Sequence, residues 1–513
     1  MKQKQILALA IVLAAGCSKK SAENTDGPHA NVTARAVVNA TVNVDWSGEQ
    51  QTIDGFGTFA GRATPLFESP KRDSVMAMLW GTQGLQLNIA RGKILHTYPF
   101  DSATGSVTIS PIANVDGLTA ADPTYQALNT DQRDEVSYLW ILKKLVSQYH
   151  VPTVFSTAWT PPVAWKTYPT ASGQGPGFSY VSYSPKNKLL TTRYNDFARY
   201  IAGFIKAFQA KGVTHYAISP ANEPSSASEW DGCVWTGTEM GGFIKNNLKP
   251  EFTRTGLSTK IIGGEDAQWK QPGGLSGIYI AGSDKFNRDM QNAAGSANYD
   301  ILAGHGYSDP NLSTGQVTYN VNPTAWTLAN TTGKRVWQNE ICETGNYDAS
   351  MADGLQFATS IHQFLTTAKA NAFVYWLGML ASGNNESLLH VDGTTGNLVY
   401  RKVYDVLGQY SRYIKAGDIR MNTTTNNSTL FASAYKNAAT GTFAIVVTNN
   451  SADTVNITLS LSNATAGGLI PYLTSGDSNA HWAQQSTVNP GVGGKYTVTV
   501  PPSSVTTFTG KKI

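Results

Sequence analysis

Hydrophobic and polar positions follow two different patterns along the chain, and the change comes near residue 418. Before residue 400, short apolar runs alternate with longer segments of helical periodicity, which is typical of βα units around a parallel sheet. The clearest helical segments are 134–149, 194–211 and 354–370. Eight runs have the character of strands: 53–59, 85–90, 153–157, 215–219, 260–263, 301–304, 335–338 and 372–376. Eight such repeats predict a closed (β/α)8 barrel.

After residue 418 the chain alternates apolar and polar residues without helical segments, and clusters of Asn, Gly, Ser and Pro separate the runs. This pattern predicts the antiparallel strands of a small β-sandwich, with strands at 430–434, 442–448, 455–461 and 496–500. The run 40–45 alternates in the same way but precedes the barrel, so we expect it to pair into the sandwich. The predicted fold class is α/β, a TIM barrel with an additional C-terminal antiparallel β-sandwich side domain. We assign 38–47 to the N-terminal strand, 48–405 to the barrel and 406–513 to the sandwich.

The first residues resemble an export signal. Lys2 and Lys4 precede the apolar run 6–15, which is shorter than the ~20 residues of a membrane span. The run closes with Ala-Ala-Gly-Cys, which resembles a bacterial lipoprotein signal, with Leu13 one place earlier than usual. We predict a lipoprotein-type signal over 1–17 that ends at the lipidated Cys17, followed by a flexible tether over 18–37. The protein would then be exported and anchored by lipid at the bacterial outer membrane or in the periplasm; an ordinary cleaved signal with a chance cysteine, which gives a secreted protein, is the alternative.

Composition excludes several classes of protein. The 513 residues are 41% hydrophobic and only 14% charged, which rules out a mainly disordered chain or a coiled coil. The net charge of +4 is spread without a basic run, so no nucleic-acid partner is expected. Cys233 and Cys342 lack metal-site spacing, and one disulfide or two free thiols both fit them. No zinc-like cluster and no Gly-rich phosphate loop stand out, so we expect no metal and no cofactor, and we expect a monomer.

Reactive side chains of a parallel barrel project from the carboxyl ends of its strands. Glu223 follows the fourth predicted strand and Glu340 the seventh, and these strands face one another across a small barrel. Two carboxyl groups in that arrangement are what glycoside hydrolysis requires, one as the acid and one as the nucleophile or base. Other polar and aromatic residues at the predicted strand ends are Arg91, Trp159, Asn222, Glu265, His305, Tyr307 and Trp376.

Five segments together resemble glycoside hydrolase family 30. They are Gln-Thr-Ile-Asp-Gly-Phe-Gly at 51–57, Ala-Trp-Thr-Pro-Pro at 158–162, Ser-Pro-Ala-Asn-Glu-Pro at 219–224, Val-Trp-Gln-Asn-Glu at 336–340 and the junction 407–417, where Ala416 replaces the usual Pro. The resemblance implies a (β/α)8 barrel fused to a side β-sandwich and a retaining mechanism. It also implies that Glu223 is the general acid/base, that Glu340 is the nucleophile and that Asn222 bonds the sugar 2-hydroxyl.

The remaining candidates support these groups. We expect Arg91 to hold Glu340 ionised, and His305 and Tyr307 to orient Glu340 or a substrate hydroxyl. Trp159 and Trp376 would offer flat faces to sugar rings, and Glu265 a substrate contact. The alternatives are purely structural. The arginine would only stabilise strand ends, the histidine would be a buried residue whose hydrogen bonds are satisfied, and the tryptophans would only pack. We expect Glu343 to make only a loop contact.

The predicted substrate is a β-linked polysaccharide. The segment 57–63 is most similar to xylan-active relatives, whereas 377–391 lacks the arginine with which glucuronoxylan-specific relatives grip a uronate. We therefore predict an endo-β-1,4-xylanase that does not depend on glucuronic acid branches. The alternatives are a β-1,6-glucanase or β-1,6-galactanase, an exo-acting β-glycosidase, and a catalytically silent surface protein that only binds glycans.

Overall fold

The computed structural model describes residues 37–60, 62–179, 182–270, 282–310, 316–381 and 384–513. The predicted signal, the predicted lipidation site Cys17 and nearly all of the predicted tether lie outside these residues. Within them, none of the helices has both the length and the apolar character needed to cross a membrane.

The α-helices fall mainly between the strands of the first four-fifths of the chain. Their bounds are α1 Ala63–Glu68, α2 Arg72–Trp80, α3 Pro123–Gln126, α4 Thr130–Ser147, α5 Tyr194–Gln209, α6 Gly237–Phe243, α7 Lys249–Thr255, α8 Ser283–Ala294, α9 Thr327–Thr332, α10 Met351–Thr366 and α11 Lys402–Ser411. The three longest helices, α4, α5 and α10, are the three that the sequence pattern indicates most clearly.

The β-strands divide between a barrel and a second, curled sheet. Their bounds are β1 Val37–Thr52, β2 Gly55–Phe59, β3 Ile89–Ile94, β4 Phe100–Asp101, β5 Ser106–Val107, β6 Thr153–Ala158, β7 Gln174–Ser179, β8 Ser184–Lys186, β9 Ala217–Ser219, β10 Lys260–Gln268, β11 Ile301–Tyr307, β12 Arg335–Glu340, β13 Ala372–Leu380, β14 Ser387–Val391, β15 Leu398–Tyr400, β16 Ile419–Thr425, β17 Leu430–Lys436, β18 Thr442–Asn449, β19 Thr454–Ser462, β20 Ile470–Thr474, β21 Ala483–Gln484, β22 Tyr496–Val500 and β23 Ser504–Lys511.

The barrel is a closed ring of parallel strands in the order β2, β3, β6, β9, β10, β11, β12 and β13. It closes because β13 pairs with both β12 and β2 in parallel register. Side chains fill its interior, as in other barrels of this size, and they include Ile89, Phe155, Ile262, Trp337 and Val374, all fully buried. The predicted (β/α)8 barrel is therefore confirmed, and its carboxyl-end loops are where a site is expected.

One predicted strand is displaced along the chain. Only Ile89 and Ala90 of the apolar run at 85–90 lie in the strand, whereas Leu85 and Leu87 precede it and are buried in the core outside the barrel. Parallel pairing begins only at Ile89. The displacement places Arg91 within β3 rather than after it.

The second domain is a nine-stranded sheet in the order β21, β20, β23, β18, β17, β16, β1, β19 and β22. Its strands curl around a separate apolar core that includes Val42, Ile445, Ile457, Val498 and Phe508. The strand β1 lies between β16, with which it runs antiparallel, and β19, with which it runs parallel. Both ends of the chain thus contribute to one sheet.

Helix α11 connects the barrel to the curled sheet and packs against both. The side chain of Gln409 donates to Thr474 Oγ1 at 2.9 Å, and the main-chain carbonyl oxygen of Gln409 accepts from Thr507 Oγ1 at 2.7 Å. Just after the helix, the rings of Tyr413 and Tyr472 stack at 4.7 Å between centroids. These bonds and stacked rings describe a firm contact and not a flexible linker.

Candidate active site

The carboxyl ends of all eight barrel strands meet around one polar cluster. Glu340 is the last residue of β12, His305 and Tyr307 close β11, and Arg91 lies in β3. Glu223 follows β9 by four residues on a short loop. Because these strands are neighbours or face each other across the ring, side chains far apart in the sequence come into contact.

Glu340 is almost fully buried and receives hydrogen bonds on both carboxylate oxygens. The guanidinium of Arg91 donates through Nη1 to Oε2, and the Tyr307 hydroxyl donates to Oε1 at 2.8 Å. The Arg91 side chain is itself fully buried. A charge-assisted bond from a permanent cation fixes the orientation of the carboxylate.

Glu223 is in a different environment, since no lysine or arginine of the described residues bonds to it. Its side chain is 15% exposed, and burial raises the pKa of this carboxyl to about 7, although the charge of Arg91 opposes the shift. Repulsion by Glu340 is not the cause of this raised pKa, because desolvation is the largest contribution and Arg91 balances the charge of Glu340.

The backbone at Glu223 is held in an unusual conformation. Its φ angle is +43°, a left-handed value that residues other than Gly, Asn and Asp rarely adopt. Two main-chain bonds fix it in place, from the amide of Asn222 to Ala158 O at 2.8 Å and from the amide of Glu223 to Glu265 O at 3.1 Å. The loop is therefore tied to the strands on both of its sides, and this aims the Glu223 side chain.

The two carboxyl groups lie close together. One carboxylate oxygen of Glu223, one of Glu340 and a ring nitrogen of His305 are all within 4.8 Å of one another. His305 Nδ1 lies 3.1 Å from Glu223 Oε1 and 3.4 Å from Glu340 Oε1, so the ring bridges the pair. Burial lowers the pKa of His305 to about 4, and the ring is therefore neutral near pH 7.

Comparison with known proteins agrees with this geometry. The sequence model described as O-glycosyl hydrolase family 30 matches residues 39–390. The chain belongs to glycoside hydrolase family 30.

Relatives within family 30 differ in their substrates. The chain is 27% identical to the glucuronoxylanase XynC of Bacillus subtilis over 364 residues, which are 70% of this chain and 74% of the relative. It is 24% identical to an endo-1,6-beta-D-glucanase of Neurospora crassa over 454 residues, 85% of each chain. The catalytic domain of the family 30 xylanase C from Talaromyces cellulolyticus superposes with a TM-score of 0.69 at 22% identity, covering 92% of this chain and all of that domain.

Arg91 bonds several members of the polar cluster in this family 30 hydrolase. Besides Glu340 it donates to Asn222 Oδ1 at 2.7 Å and to Glu265 Oε1 at 3.1 Å. Glu265 is fully buried and its second oxygen accepts from Asn339 Nδ2. The Glu265 carboxylate has no accessible surface in this structure and bonds Arg91 and Asn339, and its contact with a substrate stays a prediction.

Aromatic rings form one wall of the hydrolase site. Trp376 is half-buried and stacks on Phe59 with ring centroids 4.5 Å apart and planes within 5°. Trp159 is only 5% exposed, and the Arg91 guanidinium lies 4.8 Å from its ring centroid. Trp376 therefore keeps a partly open surface, whereas Trp159 mainly packs within the wall. Sequence reasoning missed Phe59, although its place at the end of the first strand was a usable signal.

Glu223, His305 and Glu340 are also near enough to one another to act as metal ligands. The guanidinium of Arg91 already bonds the Glu340 carboxylate, and a second cation at the same carboxylate would be repelled by it. The donor set therefore fits acid–base and nucleophilic chemistry better than metal binding.

Two further sequence expectations concern Glu343 and the two cysteines. Glu343 accepts from Asn385 Nδ2 at 3.0 Å, which is a contact between loops, as expected. Cys233 and Cys342 are both buried free thiols, which decides between the alternatives left open by the sequence.

Proposed function

We propose that this chain is a retaining glycoside hydrolase that cleaves a β-linked polysaccharide by double displacement, with Glu340 as nucleophile and Glu223 as general acid/base. The observation that carries the proposal is the approach of the two carboxyl groups to within 4.8 Å. Retaining enzymes hold their two carboxyl groups about 5 to 5.5 Å apart, whereas inverting enzymes need about 6.5 to 9.5 Å for a water molecule.

In the first step a Glu340 oxygen attacks the anomeric carbon, and the bond from that carbon to the leaving oxygen breaks. Glu223, protonated below its pKa of about 7, gives its proton to the leaving oxygen. The products of this step are a glycosyl ester of Glu340 and the shortened polysaccharide. Asn222 accepts from Arg91 through its oxygen, which leaves its amide nitrogen to donate to the 2-hydroxyl of the sugar.

In the second step the ionised Glu223 removes a proton from water, and the water oxygen attacks the anomeric carbon. The ester bond to Glu340 breaks and the carboxylate returns to its bonds from Arg91 and Tyr307. Neutral His305, which contacts both carboxyl groups, keeps them in place without adding a charge. Two displacements at one carbon restore its original configuration.

For the substrate we infer β-1,4-xylan, with cleavage inside the chain and no requirement for glucuronic acid branches. The loop after β13 contains no arginine. Arg62 reaches that loop from the end of β2, but it lies 3.7 Å from the Glu386 carboxylate, which offsets its charge. A neutral polysaccharide chain therefore suits this region better than one that carries a uronate. β-1,6-Glucan is the second candidate, because an endo-1,6-beta-D-glucanase is among the relatives.

A substrate panel tests the proposed function. Purified protein is incubated with linear xylan, glucuronoxylan, arabinoxylan, β-1,6-glucan and β-1,6-galactan, and the products are sized. We expect a ladder of xylo-oligosaccharides from linear xylan and from glucuronoxylan at similar rates. A ladder from β-1,6-glucan alone would contradict the xylan assignment, and release of single sugars alone would indicate an exo-acting enzyme.

The same panel with Glu340→Gln is the control for a catalytically silent glycan-binding protein. If the wild type hydrolyses a polysaccharide and the variant does not, the protein is not a catalytically silent glycan-binding protein. If both proteins bind a polysaccharide and neither releases reducing sugar, the catalytic proposal is wrong.

We also propose that the protein is exported and anchored by lipid at Cys17, on the strength of the N-terminal sequence. Cys17→Ser should move the protein from the membrane fraction to the soluble fraction at unchanged specific activity, because the predicted tether separates residue 17 from the barrel. Membrane association that survives this change would contradict the anchor.

A further inference from the structure

Trp230 is a large exposed apolar side chain on the same loop as Glu223. It follows Glu223 by seven residues on the loop between β9 and α6, and it is 64% exposed. Among the described residues it is the one tryptophan that exposes more than half of its surface. A single exposed apolar residue is common on protein surfaces, so its function depends on where the loop holds it.

The loop is fixed at the mouth of the barrel by an ion pair. Side chains alternate along a strand, so Arg91 and Lys93 of β3 point to the same side, with Lys93 about 7 Å nearer the carboxyl end. Lys93 Nζ lies 2.7 Å from Asp231 Oδ2 and 5.3 Å from the ring centroid of Trp159. Asp231, and with it Trp230, therefore lies one layer above the cluster that holds Glu340.

The backbone around Trp230 is firmly held. The Lys166 ammonium is buried and donates to Gly232 O at 2.7 Å and to three carbonyls of residues 170–172 at 2.9 Å. The Gly232 amide donates to Ala171 O at 3.0 Å, and Ser228 Oγ donates to Trp230 O at 3.2 Å. A side chain on so constrained a loop loses little backbone entropy when it binds a ligand.

We propose that Trp230 and the Lys93–Asp231 pair form a subsite for a neutral sugar unit of the polysaccharide, remote from the bond that is cleaved. The flat indole would lie against the C–H face of the sugar ring. Lys93 and Asp231 are 21% and 27% exposed, so their ammonium can donate to a hydroxyl group and their carboxylate can accept from another. The pair thus offers a donor and an acceptor side by side, which suits the hydroxyl groups of a neutral sugar. This inference rests on the proposed function as a polysaccharide hydrolase.

The test compares a long and a short substrate. Trp230→Ala, Trp230→Phe and wild type are assayed on the polysaccharide that the panel identifies and on a dinitrophenyl β-glycoside of the same single sugar. We expect Trp230→Ala to raise KM for the polysaccharide about tenfold, so that its kcat/KM falls about tenfold more than for the aryl glycoside. Trp230→Phe, which keeps a flat ring, should recover most of the loss. Because Trp230 is highly exposed, both variants should fold, and misfolding would not explain a loss of activity.

Tyr400→Ala is the matched control. Tyr400 is also a partly exposed aromatic residue, but it packs on Tyr404 of α11 and on His481 of the second domain. It should leave the ratio of the two activities at the wild-type value. Equal losses on both substrates for Trp230→Ala, or no loss on either, would overturn the subsite. Inactivity of the wild type on the whole panel would instead overturn the proposed function, and the two failures are thereby distinguished.

Discussion

Glu340→Ala should lower kcat on the polysaccharide by about 10⁴-fold or more, the size of effect seen when a nucleophile that acts with partner groups is removed. The loss should be specific to chemistry, because Arg91 keeps bonds to Asn222 and Glu265 after the carboxylate is gone. The space left by the carboxylate can admit a small anion beside that guanidinium. Azide should therefore restore turnover of a dinitrophenyl β-glycoside and give the α-glycosyl azide, with inverted configuration.

Glu343→Ala is the control for this experiment, since Glu343 is three residues away and bonds Asn385 and Asp353 instead of Arg91. It should keep activity within an order of magnitude of the wild type and show no rescue by azide. If azide rescues Glu343→Ala and not Glu340→Ala, Glu343 is the nucleophile and the assignment to Glu340 is wrong.

Glu223→Ala should lose about 10²- to 10⁴-fold on the polysaccharide, the usual contribution of a general acid. Its loss in the first step should be much smaller on a dinitrophenyl β-glycoside, whose leaving group departs without a proton. Azide should then yield the β-glycosyl azide with retained configuration, because the glycosyl ester on Glu340 still forms and azide replaces water in the second step. The opposite configurations from the two variants separate their roles.

The pH profile gives a second readout for Glu223. Burial raises its pKa to about 7, and the first step needs the protonated form. The kcat/KM of the wild type on the polysaccharide should therefore fall as the pH rises through about 7. Glu223→Gln should lose this alkaline limb along with most of its activity. A limb at the same pH in the variant would assign the titration to another group.

Periodicity predicted the architecture because each barrel strand is buried on both faces and reads as a short apolar run between helices. Pattern alone failed where burial has another cause, as at Leu85 and Leu87, which are apolar because they pack outside the barrel. It also missed the hairpin of β7 and β8, whose two strands pair only with each other in the loop after β6. Such short pairs lack the alternation that marks a half-buried strand.

The candidate site was predictable as a set of residue types, since strand ends in a barrel point to one place. The contacts between the members of this set were not predictable from the sequence. Sequence suggested that Glu265 contacts a substrate, and only the fold reveals that Arg91 and Asn339 take up its two oxygens. Likewise the cause of the raised pKa of Glu223 is burial, a property of the folded loop that no motif encodes. The left-handed conformation of Glu223 is equally invisible in its sequence.

Trapping the glycosyl-enzyme tests the central claim most directly. A dinitrophenyl 2-deoxy-2-fluoro-β-glycoside of the preferred sugar forms the ester quickly and hydrolyses it slowly, because the fluorine destabilises the positively charged transition states and the reactive leaving group speeds only the first step. Mass spectrometry of the intact protein should show one added glycosyl group, and fragmentation of the peptide that contains residues 336–369 should place it on Glu340. A label on Glu223 or Glu343, or full inactivation without any covalent label, would contradict double displacement through Glu340.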